Sequence, residues 1–312
     1  MASVAFFSGS FMAMGTRCDA VLIHDDTGFA ERIFQVLQKE TVQLEHLLSR
    51  FQPGAPITVF NALGADEPFR PGNELWNIIL QCREFSEWTG GLMDITSGPL
   101  VRILKEQVSQ EESDHKRIEK ASALVGFRNI RFDFENQTLY KLVSGVELDF
   151  GAVGKGFALD RMKSVLETSG IASAFISFGE SSLMGLGKHP AGEYWPVGIP
   201  DPVDPSEILH TFRVRNRFVT SAGTIRKDAG SGERLRMHII NPVTGEPLTK
   251  PCQVSVMTDT AVLGEVLSTA ALLLPQPELK VLMERYRDAE IFGLEYEEGF
   301  INRKDYLLRM ES

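Results

Sequence analysis

Apolar side chains recur at helical spacing from Gly28 to Phe51, where Phe29, Ile33, Val36, Leu37, Leu44, Leu47 and Leu48 share one stripe. Pro53-Gly54 supplies the stop. A second amphipathic run, Asn73 to Trp88, sets Leu75, Ile78, Ile79, Cys82 and Phe85 on one face and ends at Gly90-Gly91. Residues 155–169 and 261–274 predict two further helices, and another follows Pro277. Residues 11–24 read as a first strand pair. Runs at 129–134, 138–142, 146–150, 173–178, 182–186, 195–199, 209–220 and 253–258 predict strands separated by Gly and Pro turns. From 103 to 122 the charges crowd together, with Glu111, Glu112, Asp114, Lys116 and Arg117, which predicts a solvated helical excursion.

Hairpins and helices mix without a regular strand–helix alternation, so the expected class is α+β, with mixed or antiparallel sheets and flanking helices. No repeat recurs at a solenoid period. No composition shift marks a linker, so residues 1–312 are expected to form a single unit of two lobes that share one cleft.

Composition narrows the function classes. Of 312 residues, 43% are hydrophobic and 24% charged, which is ordinary for a globular protein. A net charge of −10 argues against a nucleic-acid groove. The odd count of three cysteines (Cys18, Cys82, Cys252), with no CxxC, argues against a disulfide framework or a zinc site and predicts buried apolar thiols. The N-terminal stretch lacks a basic n-region, a long apolar core and a lipobox cysteine, so the expected location is cytoplasmic. No apolar run approaches the roughly 20 residues a membrane helix needs.

The richest stretch is Leu148-Asp-Phe-Gly-Ala-Val-Gly-Lys-Gly-Phe157, an apolar run ending in an acid, then glycines and a lysine leading into a helix. Glycines admit a bulky anion close to the backbone, and free N–H groups at a helix start attract negative charge. The same glycines also suit plain strand-to-helix packing. Glu265 and Thr269 share a helix face and offer hard oxygen ligands; they equally fit a helix acid and a threonine bonded back to its own helix. His238 is either a general base or a structural histidine at a strand end. Asn241-Pro-Val-Thr-Gly245 is good turn chemistry. Asp94 either receives ligand hydrogen bonds or caps a short helix before Pro99. Phe51 either covers a planar ring or joins the core, and Lys155 either meets a phosphate or lies exposed.

Seven segments occur in an order that resembles the ApbE family, the FAD:protein FMN transferases. They are Met14-Gly-Thr16, Leu48-Ser-Arg-Phe51 with Asn61, Gly91-Leu-Met-Asp-Ile-Thr-Ser-Gly-Pro-Leu100, Leu148–Gly156, Trp195-Pro-Val-Gly-Ile199, His238-Ile-Ile-Asn-Pro-Val-Thr-Gly245 and Glu265-Val-Leu-Ser-Thr269. The resemblance implies FAD in a cleft between two lobes, with Met14, Phe51, Leu92, Met93, Asp94, Asp149, Lys155 and Ile240 at flavin-contacting positions. It implies magnesium held by the Ala152 carbonyl and by side-chain oxygens of Glu265, Thr269 and Ser268, with His238 activating the attacking group. The implied reaction transfers FMN from FAD to a threonine hydroxyl of an acceptor protein and releases AMP. A pyrophosphatase giving FMN and AMP, or a flavin-binding protein with little catalysis, would use the same residues. Several positions depart from the family pattern: Asn241 stands where an acid is usual, Glu265 where the shorter Asp is usual, Glu180 where the second glycine of a pair is usual, and Thr220-Ser-Ala-Gly-Thr224 matches its segment only in part.

Overall fold

The structure is a computed structural model, which describes residues 5–106, 112–202, 204–225, 239–297 and 302–309. In chain order the elements are β1 (Phe6–Ala13), β2 (Thr16–Ile23), α1 (Thr27–Leu48), α2 (Pro56–Ala62), β3 (Pro68–Phe69), α3 (Asn73–Trp88), α4 (Gly98–Lys105), α5 (Glu112–Leu124), β4 (Ile130–Asp133), β5 (Thr138–Lys141) and α6 (Gly154–Thr168). There follow β6 (Ser173–Phe178), β7 (Ser182–Leu186), β8 (Trp195–Pro200), β9 (Ile208–Val214), β10 (Arg217–Gly223), β11 (Cys252–Thr258), α7 (Ala261–Leu273), α8 (Gln276–Arg285), β12 (Glu290–Glu297) and β13 (Asn302–Arg309). The class is α+β, and every paired strand of the three sheets is antiparallel. Among the described residues no helix is long and apolar enough to cross a membrane.

The chain divides into two compact units, one of residues 1–45, 153–234 and 250–312, the other of 46–152 and 235–249. The first unit is built on an eight-stranded sheet in the order β1-β2-β6-β7-β10-β11-β12-β13. Side chains alternate across a strand, so this sheet has two faces to cover. On one face α7 packs over β10 and β11, with α6 beside it. On the other, Val219, Met257, Phe292, Leu294 and Tyr296 meet Trp195, Val197, Ile199, Phe212 and Val214 of the β8–β9 hairpin in a buried cluster. Strands covered on both faces show no polar alternation. Accordingly β12 is buried at five consecutive positions, Glu290 to Leu294.

The second unit carries the small sheet β3-β5-β4 and helices α2 to α5. Its least ordinary core residue is Lys141, 1% exposed. Its ammonium donates to the Asn61 and Leu63 carbonyls at 3.0 and 2.9 Å and lies 4.9 Å from the centre of the Phe60 ring. Burial lowers its pKa to about 8.

Several expected elements differ. The first strand pair begins at Phe6 rather than 11. The run 209–220 is two strands, β9 and β10, in different sheets, because Asn216 takes a left-handed turn with φ +57° between them. The run 146–150 is no strand; Glu147 makes one isolated parallel bridge to Ser97. All three cysteines are buried free thiols, and burial pushes the Cys18 thiol up to about 12.

Replacing Lys141 by Ala takes this donor from the half-buried Asn61 and Leu63 carbonyls and opens a cavity beside Phe60. The expected loss is about 2–5 kcal/mol of unfolding free energy, measured by urea titration.

Candidate functional site

In the first unit the loop glycines and Lys155 open α6, and Glu265 lies in the second turn of α7. The two helices touch where Gly156 has no side chain. A Cβ there would stand 2.7 Å from Val262 Cα and 3.0 Å from Glu265 Cγ, so only glycine fits without displacing α7. This close approach brings Lys155 Nζ within 3.0 Å of Glu265 Oε1. The same oxygen accepts the Ser182 hydroxyl at 2.6 Å from β7. Glu265 is 4% exposed, so it is a buried carboxylate held by one ammonium and one hydroxyl. Lys155 is thus not an exposed first-turn lysine, and Glu265 is not a solvated helix acid.

The other hydroxyls of α7 separate. Thr269 is half-buried one turn beyond Glu265. Ser268 is fully buried, and its hydroxyl donates to the Glu265 carbonyl at 3.2 Å, so it is the serine rather than the threonine that bonds back into the helix. Thr220 on β10 lies against Gly264, and its hydroxyl is buried without a hydrogen-bond partner. One acid escaped the sequence reading: Asp160 on α6 accepts the Ala261 and Val262 amides at 2.7 and 3.0 Å. Burial pushes its carboxyl up to about 6 despite those two bonds. Its only sequence trace is an acid among the apolar positions of α6, a trace that gives no hint of its partners.

In the second unit, the acid that ends the Leu148-Asp149 run is fixed from several sides. The Asn61 side chain both donates to the Leu148 carbonyl (2.9 Å) and accepts its amide (2.7 Å), imitating a neighbouring strand. The Asp149 amide donates to the Ile95 carbonyl at 2.7 Å. Its carboxylate pairs with Arg50 at 3.0 Å and accepts the Gly151 amide at 2.7 Å, with both charged side chains about one-tenth exposed. Arg50 and Asn61, quoted above only as pattern matches, therefore anchor this loop. Ala152 follows as an exposed residue just before α6.

Asp94 is 6% exposed. It accepts the Ser86 hydroxyl (2.9 Å), the Thr96 amide (2.8 Å) and the Thr96 hydroxyl (2.6 Å). It does not cap α4, whose N-cap Ser97 makes no side-chain cap bond. Leu92 and Met93, on the same turn, are buried. Phe51 is 70% exposed, with Arg50 5.1 Å from its ring centre, so the core reading of this aromatic fails. Ile240 packs with Leu100, Ala121 and Val125. Asn241 accepts the Val243 and Thr244 amides through its side-chain oxygen, which confirms the turn. His238 lies outside the described residues.

Met14, in the first unit, occupies the β1–β2 hairpin turn with φ +50°, next to Gly15 at φ +72°. Two left-handed residues are what a tight hairpin requires, but methionine adopts that conformation at a cost.

Among the described residues no three His, Cys, Asp or Glu side chains gather as a metal cluster. Any cation here would draw on hydroxyl and carbonyl oxygens beside Glu265, a donor set that suits a hard ion such as magnesium.

The chain is 25% identical over 260 residues to the FAD:protein FMN transferase of Buchnera aphidicola subsp. Schizaphis graminum, covering 81% of this chain and 76% of that one. It is 26% identical over 282 residues to the enzyme of that name from Klebsiella pneumoniae, covering 87% and 80%. Among solved structures, the flavin transferase ApbE from Vibrio cholerae superposes with a TM-score of 0.80 at 19% identity, covering 98% and 97%. The apo flavinyl transferase ApbE from Pseudomonas stutzeri gives 0.82 at 21%, covering 98% and 96%. These structures share the fold. The statistical model of the ApbE family matches residues 14–292, nearly the whole described chain, and the protein belongs to the ApbE family.

Proposed function

We propose that the protein is a flavinyltransferase that moves FMN from FAD to a threonine hydroxyl of an acceptor protein, with magnesium as its cation and AMP as the leaving group. The observation that carries this reading is the cluster of half-buried Lys155 with buried Glu265 and Ser182 at the start of a glycine-flanked helix. An ammonium, a buried carboxylate and free helix N–H groups suit an anionic diphosphate together with a hard cation. The family match and the names of the relatives point the same way.

In this reading Glu265 and Thr269 hold the cation, and the Ala152 carbonyl is the further donor that the resemblance adds. Ser268 is the further hydroxyl of the set: it donates its hydrogen to the Glu265 carbonyl and keeps its oxygen lone pairs. When bound, magnesium supplies charge neutralisation for the diphosphate and its leaving group. Lys155 orients a phosphate oxygen by a charge-assisted hydrogen bond. Phe51, exposed and backed by Arg50, offers a flat apolar face to a planar ring. Leu92, Met93 and Asp94 form a turn made rigid by the Asp94 hydrogen bonds. Met14, Asp149 and Ile240 complete the flavin-contacting set. His238 takes the proton from the attacking threonine, because a hydroxyl is a weak nucleophile until it is deprotonated.

Three measurements test this. By calorimetry, FAD is expected to bind more tightly than FMN; equal affinities would remove the case for a dinucleotide site. Glu265→Gln keeps the volume and the contact with Ser182 but removes the charge. It is expected to weaken magnesium binding by more than the roughly 10–100-fold typical of residues that merely support a metal ligand. An unchanged magnesium requirement would return Glu265 to a structural role. His238→Ala is expected to leave FAD affinity nearly intact while slowing transfer by roughly 10²–10⁴-fold, read as AMP release and protein-bound FMN. Equal rates in wild type and variant would exclude the histidine as base.

A further inference from the structure

We propose that Asp160 is a positioning residue for the cation site: from α6 it fixes the first turn of α7, and so the direction in which Glu265 and Thr269 present their oxygens. The inference rests on the metal reading given above. It starts from a helix end that is capped in an unusual way. The first amides of any helix lack intrahelical partners and usually take one from the N-cap side chain. The N-cap of α7 is Thr260, whose hydroxyl is suited to this, yet it makes no cap bond. The two carboxylate oxygens of Asp160 do so instead, one to Ala261 N–H and one to Val262 N–H, from 101 and 102 residues away in the chain.

The local Thr260 hydroxyl would satisfy one amide and would leave the two helices untied. Burying a carboxylate is costly, and the cost shows in the pKa of about 6, which burial raises and neighbouring Glu265 raises further. At neutral pH the group is nevertheless ionised, so the helix start receives a full negative charge, favourable to its dipole. What the carboxylate supplies beyond a local cap is a tie between two helices. Lys155, Gly156 and Asp160 lie along α6 and meet Glu265, Val262 and the first two amides of α7 respectively. Gly156 sets how close the helices approach. Asp160 sets the axial and rotational position of the α7 start. With about 3.6 residues per turn, slipping the helix by one residue turns every side chain by roughly 100°, which would carry Glu265 away from Lys155 and Ser182.

The test uses the full chain with Asp160→Ala, which removes both acceptors, and Asp160→Asn, which keeps the volume and one of them. Magnesium is titrated by calorimetry well below the melting temperature of each variant, and FMN transfer is followed against magnesium concentration. The expected result is a magnesium dissociation constant raised roughly 10–100-fold in Asp160→Ala and less in Asp160→Asn, with transfer recovering as magnesium is raised. If Asp160→Ala does not fold, Asp160→Asn alone decides. A lowered melting temperature with wild-type magnesium affinity would reduce Asp160 to a stabilising cap and overturn the inference. Glu265→Gln, run in parallel, separates the two failures. If it weakens magnesium binding and the Asp160 variants do not, the positioning inference fails alone; if it also leaves magnesium binding unchanged, the metal reading fails with it.

Discussion

The absence of a side chain at Gly156 lets α6 and α7 approach to backbone contact, and the chemistry of the first unit follows from that approach. A Cβ at this position would overlap Val262. Because the helices touch, Lys155 reaches Glu265 and Asp160 reaches the free amides of α7. Gly264, one residue before Glu265, repeats the device on the sheet side. A Cβ there would lie 2.5 Å from the Thr220 hydroxyl and 2.7 Å from that of Thr258. Glu265 therefore sits on a helix held close to its neighbours on both sides by missing side chains. A carboxylate at 4% exposure is tolerable there because a cation and a hydroxyl meet it.

The second unit solves a similar problem with side chains in place of glycines. The segment after Val146 carries Asp149, an acid about one-tenth exposed, and among the described residues it belongs to no named strand. The Asn61 amide pairs with the Leu148 backbone, and Arg50 neutralises Asp149. Among the described residues Asp94 has no cation beside it and relies on three neutral donors, two of them from Thr96. Thr96 in turn accepts the Gly126 amide, which ties the turn to the segment before β4. Removing any one donor would strand a buried polar atom, so each of these groups is held by the others.

These arrangements explain what the sequence could reveal. Amphipathic periodicity placed α3 at Asn73–Trp88 and α6 close to its observed start, because one face of each is buried. Strands β6 and β7 were legible from their turns. The two C-terminal strands were not: β12 is covered on both sides and lacks alternation. The run 146–150 alternates like a strand, but its backbone is paired piecemeal, by the Asn61 side chain at Leu148 and by the Ile95 carbonyl at Asp149. The glycine loop, Glu265 and Thr269 were legible as a family pattern, whereas Asp160 was not. A tertiary cap joins residues a hundred positions apart, and no local spacing encodes it.

Charge balance connects the site to the composition of the chain. A protein of net charge −10 repels an anionic dinucleotide at long range, so attraction has to be local. Lys155 alone does not provide it, since Glu265 already neutralises the ammonium. A divalent cation on Glu265 would change this, because the carboxylate would then be shared and the lysine charge would become available to a phosphate. Cation and diphosphate would thus each make the other's site more favourable, without any new side chain being needed. A glutamate has the reach to serve Lys155, Ser182 and, in the proposed reading, a cation at once. It also makes the fixed position of α7 more important, because a longer side chain has more ways to point elsewhere. The buried cap at the start of α7 and the close contact at Gly156 limit those ways by holding the backbone from which Glu265 projects.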